Sequence, residues 1–506
     1  MTAPLRHRWA GLVAQAGGQA RQRLLAVVGG PARFQVITIL SCVLALDAAD
    51  KGTIGAVGPE LKSNLGIDNT QLGSLTAVSS GVGAVAAVPV GVLTDRVNRT
   101  RLLAVSIIAW GAAMAAGGLA GSFTWLLLSR LALGAVTATA GPTLASLIGD
   151  YFPPGERGRI YGFILSGEML GAGFGLLVGG NLSQLLSWRA AFGFLALLGL
   201  CLVYVIRRWL PEPARGGQSH LRPGQTDLKP RPDEWARGRP EGEGDDAGDD
   251  VAAQREDPAR SAVEEHGVRP RPDLVLRRDP ARMSMWAAMR YVLRIPTNVI
   301  LIVASALGYF FFAGLRTFGV VFVSRHYGLG YGAISGLVVL IGVGALVGVL
   351  TGGRVADGLI RRGHPSARVL VPAVTYLLAA GLFVPGLATT SVAVAVPLFA
   401  LAAASLTAAN PPLDAARLDI VHSRLWGRAE SIRTFLRMGA EALAPVTFGF
   451  VADLFGPGGK GGARGLEYAF LIMLVPLVAN SVILLRGLRT YPRDVATAAE
   501  SERVAR

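Results

Sequence analysis

The sequence predicts an all-α membrane protein with twelve transmembrane helices in two six-helix, pseudo-symmetric bundles. Three observations carry that prediction: an apolar composition, twelve apolar runs long enough to span, and a loop pattern that occurs twice. Of 506 residues, 51% are hydrophobic, 16% are charged and 65 are Gly, and the mean hydropathy is +0.45. Such a chain has too many long apolar stretches for soluble domains. The repeated pattern is GVLTDRVNRTR at residues 91–101, echoed by GRVADGLIRR at 353–362. In both copies a Gly lies four residues before an Asp (Gly91 and Asp95, Gly353 and Asp357) and an Arg four residues after it (Arg99, Arg361). A duplicated helix-to-helix turn in a membrane protein points to two similar halves that move against one another.

The hydrocarbon core takes a helix of about 20 apolar residues. The first six runs are 34–57, 70–93, 102–121, 123–149, 158–182 and 190–209, and the second six are 297–323, 331–356, 368–388, 391–413, 429–454 and 468–488. The remaining chain divides into an N-terminal tail at 1–33, a linker at 210–296 and a C-terminal tail at 489–506. The linker carries PEGEGDDAGDD at 240–250 among Arg, Pro and Asp, and from 211 to 282 its low hydrophobicity and abundant charge predict a disordered segment. MSMWAAMRYVLRIP, 283–296, has helical apolar spacing with Arg290 and Arg294 on the polar side, which predicts an interfacial helix.

Orientation follows from Arg placement. Arg96, Arg99 and Arg101 share one short loop, Arg157 and Arg159 a second, Arg354, Arg361, Arg362 and Arg368 a third, and Arg424 and Arg428 a fourth. The alternate loops are poor in basic residues, so both termini are expected in the cytoplasm. The leader adds Arg6, Arg8, Arg21, Arg23 and Arg33, and its apolar stretch is too short for a signal-peptide core. This distribution accounts for the net charge of +15 better than a nucleic-acid surface does, so no nucleic-acid partner is expected.

Catalytic classes are poorly supported. There is no phosphate-cradling G-x-x-x-x-G-K-[ST] segment, most of the six His fall in loops, and Cys42 and Cys201 lie inside apolar runs. No metal, cofactor or enzymatic activity is expected. The chain reads as a transporter driven by an ion gradient.

Six ionisable residues stand out inside the apolar runs: Asp47, Asp50, Arg130, Glu168, Arg316 and Glu441. Each costs about 2.5 to 3.5 kcal/mol on insertion scales, which invites a functional reading. At about 1.5 Å rise per residue, Asp50 and Arg130 reach similar depths on the first and fourth helices, where pairing lowers the desolvation cost of both. Asp47 precedes Asp50 by three residues and shares its helix face, so two carboxylates beside one Arg make a candidate proton-binding cluster. Glu168, near mid-membrane on the fifth helix, has no cation beside it in sequence and is the third proton-coupling candidate. Arg316 either holds an anionic substrate group or snorkels to the outer interface. Glu441 follows Arg437 by four residues and reads as a local ion pair. Gly167, Gly171, Gly175 and Gly179 recur on one face of the fifth helix and predict close helix packing. Gly91, Asp95, Arg96, Arg99, Asp357 and Arg361 form a candidate conformational gate. Asp95 is expected to face the start of a neighbouring helix or to pair with an Arg across the two halves, steadying one conformational state.

The loop residues Gly91, Asp95, Arg96 and Arg99 resemble the signature of the major facilitator superfamily, and the doubled motif, twelve spans and central linker agree with it. Within that superfamily the chain is most similar to the spinster branch, through DKGTIGAVGPEL from Asp50, DRVNR from Asp95, RLALG from Arg130, PTLASLIGDYFPPGERGR from Pro142, and stretches at Asp419 and Gly427. The resemblance implies that Asp50 and Arg130 serve proton coupling and conformational change. It also implies a Glu shortly after RxxxG, where this chain has Thr137, so the coupling carboxylate is sought at Glu168 or Asp47. Spinster relatives of eukaryotes move lysolipids and sphingoid lipids. The Arg- and Ala-rich composition looks like that of a high-GC bacterium, which implies the inner membrane. The expected function is a monomeric secondary active transporter that alternates access across the bilayer, moving a small organic or amphipathic, lysolipid-like molecule with protons as the coupling ion. The alternatives are a multidrug efflux antiporter and a membrane sensor that keeps the fold without transport.

Overall fold

In the computed structural model, residues 25, 28–67, 69–215, 220–226, 258–277, 279–329, 331–455 and 463–504 are described. The basic leader residues up to Arg23 and the acidic run at 240–250 lie outside them. Among the described residues all regular structure is helical, and twelve spans are long and apolar enough to cross a membrane. The N-terminal bundle contains α1 (Pro31–Leu65), α2 (Asn69–Arg96), α3 (Arg99–Gly118), α4 (Phe123–Tyr151), α5 (Arg157–Leu185) and α6 (Trp188–Trp209). The C-terminal bundle contains α7 (Pro296–Tyr327), α8 (Tyr331–Ile360), α9 (Ala367–Ala388), α10 (Val392–Ile420), α11 (Trp426–Leu454) and α12 (Ala463–Val504).

Local chemistry sets the ends. Asn98, Ser122 and Ser187 cap α3, α4 and α6 by accepting from the backbone N–H three residues on. α1 and α7 stop at Gly66 and Gly328, both left-handed with φ near 63° and 62°. Each bundle also breaks one helix at a matching place: α4 between Thr137 and Ala140, and α10 at Ala409. Pro411 and Pro412 start the second piece of α10 and bring no N–H to bond back to the first.

Within the N-terminal bundle, α1 packs along α5. A Cβ at Gly167, Gly171 or Gly175 would strike the backbone of Ser41, Ala45 or Ala49, and one at Gly179 would strike the Thr53 side chain. The four-residue glycine repeat therefore sets how near α1 can come. Between bundles the principal contacts are α2 with α11 and α5 with α8.

Two expectations from sequence change in the folded chain. The C-terminal tail from 489 is not a separate tail: α12 runs on to Val504 as one helix. The second part of the linker is ordered against it. A short helix, Pro258–Glu265, lies on α12, Arg260 pairs with Glu502 at 2.7 Å, the Arg271 and Leu276 N–H groups donate to Thr497 Oγ1 and Ser501 Oγ, and Arg271 faces Asp494 at 3.2 Å. The start of the linker is also held: Glu212 pairs with Arg99 at 2.8 Å and the Leu221 carbonyl accepts from Arg33. These segments bury only a few apolar side chains, Leu221, Ala259, Val263 and Leu274 among them, and add hydrogen bonds to the bundle ends, a sparse pattern that mean hydropathy does not register. Within the stretch expected to be interfacial, a helix forms at Met285–Val292.

Replacing Gly175 by Leu is expected to separate α1 from α5 and lower stability by about 1 to 3 kcal/mol, whereas Leu at Gly173, where nothing lies within 4 Å, is near neutral. Thermal unfolding of the detergent-solubilised protein checks this; equal melting temperatures would contradict the packing.

Candidate transport site and inter-bundle clasp

On the face where α1 begins and α12 ends, the two bundles are held by a pair of matched carboxylates. The Asp95 side chain, at the last turn of α2, is 1% exposed and reaches the first turn of α11 in the other bundle. It accepts from the Gly427 N–H at 2.9 Å and the Arg428 N–H at 3.1 Å, and pairs with Arg428 Nε at 2.9 Å. Both alternatives raised from sequence, a helix start and an Arg across the halves, are met by one carboxylate. Asp357 near the end of α8 reaches the first turn of α5 in part the same way: its Oδ2 accepts from the Arg159 N–H at 2.8 Å, while its Oδ1 accepts from Arg368 of α9, in its own bundle, at 2.9 Å. A helix start offers unsatisfied N–H groups and partial positive charge, so each Asp supplies what the opposite helix lacks.

The repeated Gly has an equally concrete role. A Cβ at Gly91 would strike Ser431 and the Gly427 carbonyl, and one at Gly353 would strike the Gly158 carbonyl. Across the interface, side chains at Gly427 and Gly158 would meet Asp95 and Asp357 themselves. Every clasp thus joins a Gly and an Asp four residues apart to a Gly at the start of the partner helix.

The other loop residues divide. Arg99 is fully buried but stays within its own bundle, bonded to Asp150, to Glu212 at 2.8 Å and to the Pro213 carbonyl at 2.8 Å. Its counterpart is Arg368, which joins Asp357 to Asp419 at 2.5 Å and bonds the Pro154 carbonyl across the interface. Arg96 is exposed. Arg361 is exposed and donates to the Gly155 carbonyl of the opposite bundle at 3.4 Å. Arg215, just beyond α6, donates to the Thr94 and Val97 carbonyls and closes the end of α2 beside Asp95; burial, with Arg99 nearby, holds it below the ordinary arginine value. His422, in the turn before α11, is likewise lowered by burial, and its Nδ1 accepts from the Arg424 N–H.

Deeper in the N-terminal bundle Asp50 and Arg130 meet at 2.8 Å, with side-chain exposures of 5% and 1%. The Arg130 guanidinium also lies 4.7 Å from the centre of the Phe192 ring. Asp47 does not join them. It pairs with Lys51 at 2.8 Å, one turn along α1, at a part-exposed position where the neighbouring ammonium offers a nearer partner.

Glu168 lines a cavity between the bundles with Tyr309 and Phe312 of α7, Tyr376 of α9, and Leu406 and Asn410 of α10. Arg437, Lys51, Glu441 and Asp47 all lie within electrostatic reach of its carboxylate. Arg437 sits 4.5 Å from the Tyr309 ring centre and 3.6 Å from Glu441, the local pair expected from their spacing. Arg316 is exposed on α7 and is an electrostatic neighbour of Lys51.

Sequence reading passed over one buried set. Arg417 pairs with Asp414 at 2.6 Å and Glu430 at 3.0 Å, while Arg433 pairs with Glu430 and donates to Ser305 at 2.8 Å. The signal was present as a helical stripe on α11, Glu430, Arg433, Arg437 and Glu441, and as Asp414 and Arg417 one turn apart at the end of α10. Asp414 and Arg417 fall just past the tenth apolar run and read as loop, whereas Glu430 and Arg433 lie at the very start of the eleventh, where charge near a helix end draws no attention.

These features accompany a family relationship. Residues 40–429 match the Major Facilitator Superfamily model, and the chain belongs to that family, whose members are transporters rather than enzymes. Over 172 residues it is 26% identical to the probable L-galactonate transporter of Escherichia coli strain K12, covering 34% of this chain and 38% of that one. Over 197 residues it is 31% identical to the puromycin resistance protein pur8 of Streptomyces alboniger, covering 37% and 38% respectively. The aligned part thus spans under two fifths of the length of either relative. The crystal structure of a bacterial homologue of the human lysosomal transporter spinster, inward-facing and occupied, is similar in fold, with a TM-score of 0.57, 20% identity, and 92% and 98% of the two chains covered.

Asp95→Asn and Asp357→Asn are each expected to weaken the closed terminal face by about 1 to 3 kcal/mol, a 5- to 150-fold shift in the equilibrium. Spin-label distances between the ends of α2 and α11, and of α5 and α8, read that shift; unchanged distributions in the double variant would sink the clasp.

Proposed function

We propose that this protein is a secondary active transporter that works by alternating access, coupling protons to the movement of a small organic or amphipathic molecule, lysolipid-like in the widest reading. The observation that carries it is the paired clasp. Each of its carboxylates accepts from a backbone N–H of the opposite bundle and helps close one face, while a polar, aromatic cavity lies between the bundles. Parting the bundles exposes both carboxylates to water, which rehydrates them and keeps the cost of opening modest. A closed terminal face with a central cavity is the outward-facing arrangement when the termini are cytoplasmic, as the Arg-rich loops support. The setting is a bacterial inner membrane and the working unit a monomer.

Asp50 with Arg130 and Glu168 on the cavity wall are the proton-handling groups in this reading. Asp50 protonation would release Arg130 and loosen α1 from α4, linking charge to bundle shape. Asp47, paired with Lys51, takes a lesser part, and Arg316 and Glu441 supply charge near the cavity. Multidrug efflux is the second reading, favoured by the likeness to a puromycin resistance protein.

Reconstituted in liposomes with an imposed proton gradient, the wild type should accumulate a stabilising ligand found by a thermal screen of lysolipids, fatty acids and drug-like cations. Asp50→Asn and Glu168→Gln should fold normally yet lose gradient-driven accumulation by tenfold or more, about 1.4 kcal/mol. Wild-type accumulation by both variants would defeat their assignment.

A further inference from the structure

We infer that the inter-bundle cavity selects an organic monocarboxylate with an apolar or aromatic body, bound together with a proton; this rests on the reading of the cavity as the transport site. The walls match the character of such a body: Phe312, Leu406 and the Tyr309 and Tyr376 rings line a narrow space beside α5, which would widen to admit it. Tyr376 is 1% exposed, yet its hydroxyl has no hydrogen-bond partner, and a Cβ at Gly308 would strike it. A buried hydroxyl left unpaired beside a cavity is a donor awaiting an acceptor. Arg437 is a second. Its guanidinium lies on the Tyr309 ring, its Nε has no partner, and its nearest carboxylate, Glu441, is at 3.6 Å.

Charge explains why a proton accompanies the anion. The groups facing Glu168 are Asp47 and Lys51 from α1, Tyr309 from α7, and Arg437 and Glu441 from α11. Three carboxylates meet two cations there, and Arg316 stands next to Lys51. An added carboxylate enters without excess negative charge when Glu168 takes up a proton, which also frees Arg437 from one competitor. The proton goes from solvent to a Glu168 carboxylate oxygen, and the anion accepts from Tyr376 and pairs with Arg437.

The test uses the full-length protein in nanodiscs and calorimetric binding of benzoate, benzamide and benzylamine at pH 5.5 and 7.5, where benzoate stays ionised. Benzoate should bind roughly tenfold more tightly than the other two and several-fold more tightly at the lower pH. Glu168→Gln should keep benzoate binding but lose its pH dependence, Arg437→Gln should weaken it about tenfold, and Tyr376→Phe, the variant least able to disturb the fold, several-fold. Equal affinity for benzamide, or pH-independent binding by the wild type, overturns the inference. Because binding is read without flux, loss of benzoate selectivity in a protein that still shows proton-driven accumulation rejects this site alone. Benzoate binding with no gradient-driven flux rejects the transport reading instead.

Discussion

A carboxylate buried at the start of a helix in the opposite bundle is the interaction on which the arrangement of this protein depends. Burying an unpaired carboxylate is prohibitive, and the first turn of a helix is left with N–H groups that nothing inside the helix can satisfy. Asp95 and Asp357 resolve both deficits at once, on α11 and α5. The solution works only at contact distance, so glycine is required on each side. It also works only while the bundles touch, which is why the contact is proposed as a switch.

The remaining ionisable groups sort by what they join. Asp50 with Arg130, and Arg99 with Asp150, tie helices within the N-terminal bundle. Arg368 with Asp419, and the set built on Arg417, Glu430 and Arg433, do so in the C-terminal bundle. Rigid bundles let a small change at the interface become movement of a whole half. Around Glu168 the pattern differs, because its charged neighbours come from both bundles and none is bonded to it tightly. That incomplete pairing is the feature on which the proposed transport site rests.

Beyond α12, the clasp is connected to the soluble segments. Arg428, the partner of Asp95, donates to the Pro280 and Met283 carbonyls of the linker, and Glu502 at the end of α12 accepts from the Ser423 N–H in the turn that leads into α11. The linker and the last helix therefore bear on the same first turn of α11 that Asp95 grips.

The sequence by itself determined the number of spans, the doubled loop and the glycine face of α5, because these follow from hydropathy and from residue spacing that a helix converts directly into position. Asp50 and Arg130 were legible as a pair for the same reason: equal depth on two helices. Tertiary structure alone decided that Asp47 turns to Lys51, that Arg99 locks its own bundle while Asp95 reaches the other, and that Tyr376 and Arg437 border Glu168. It alone decided too that the polar segments at 258–277 and 489–504 are folded. Those outcomes depend on which side chains from distant parts of the chain compete for each buried donor or acceptor, and spacing along one helix carries no record of that competition.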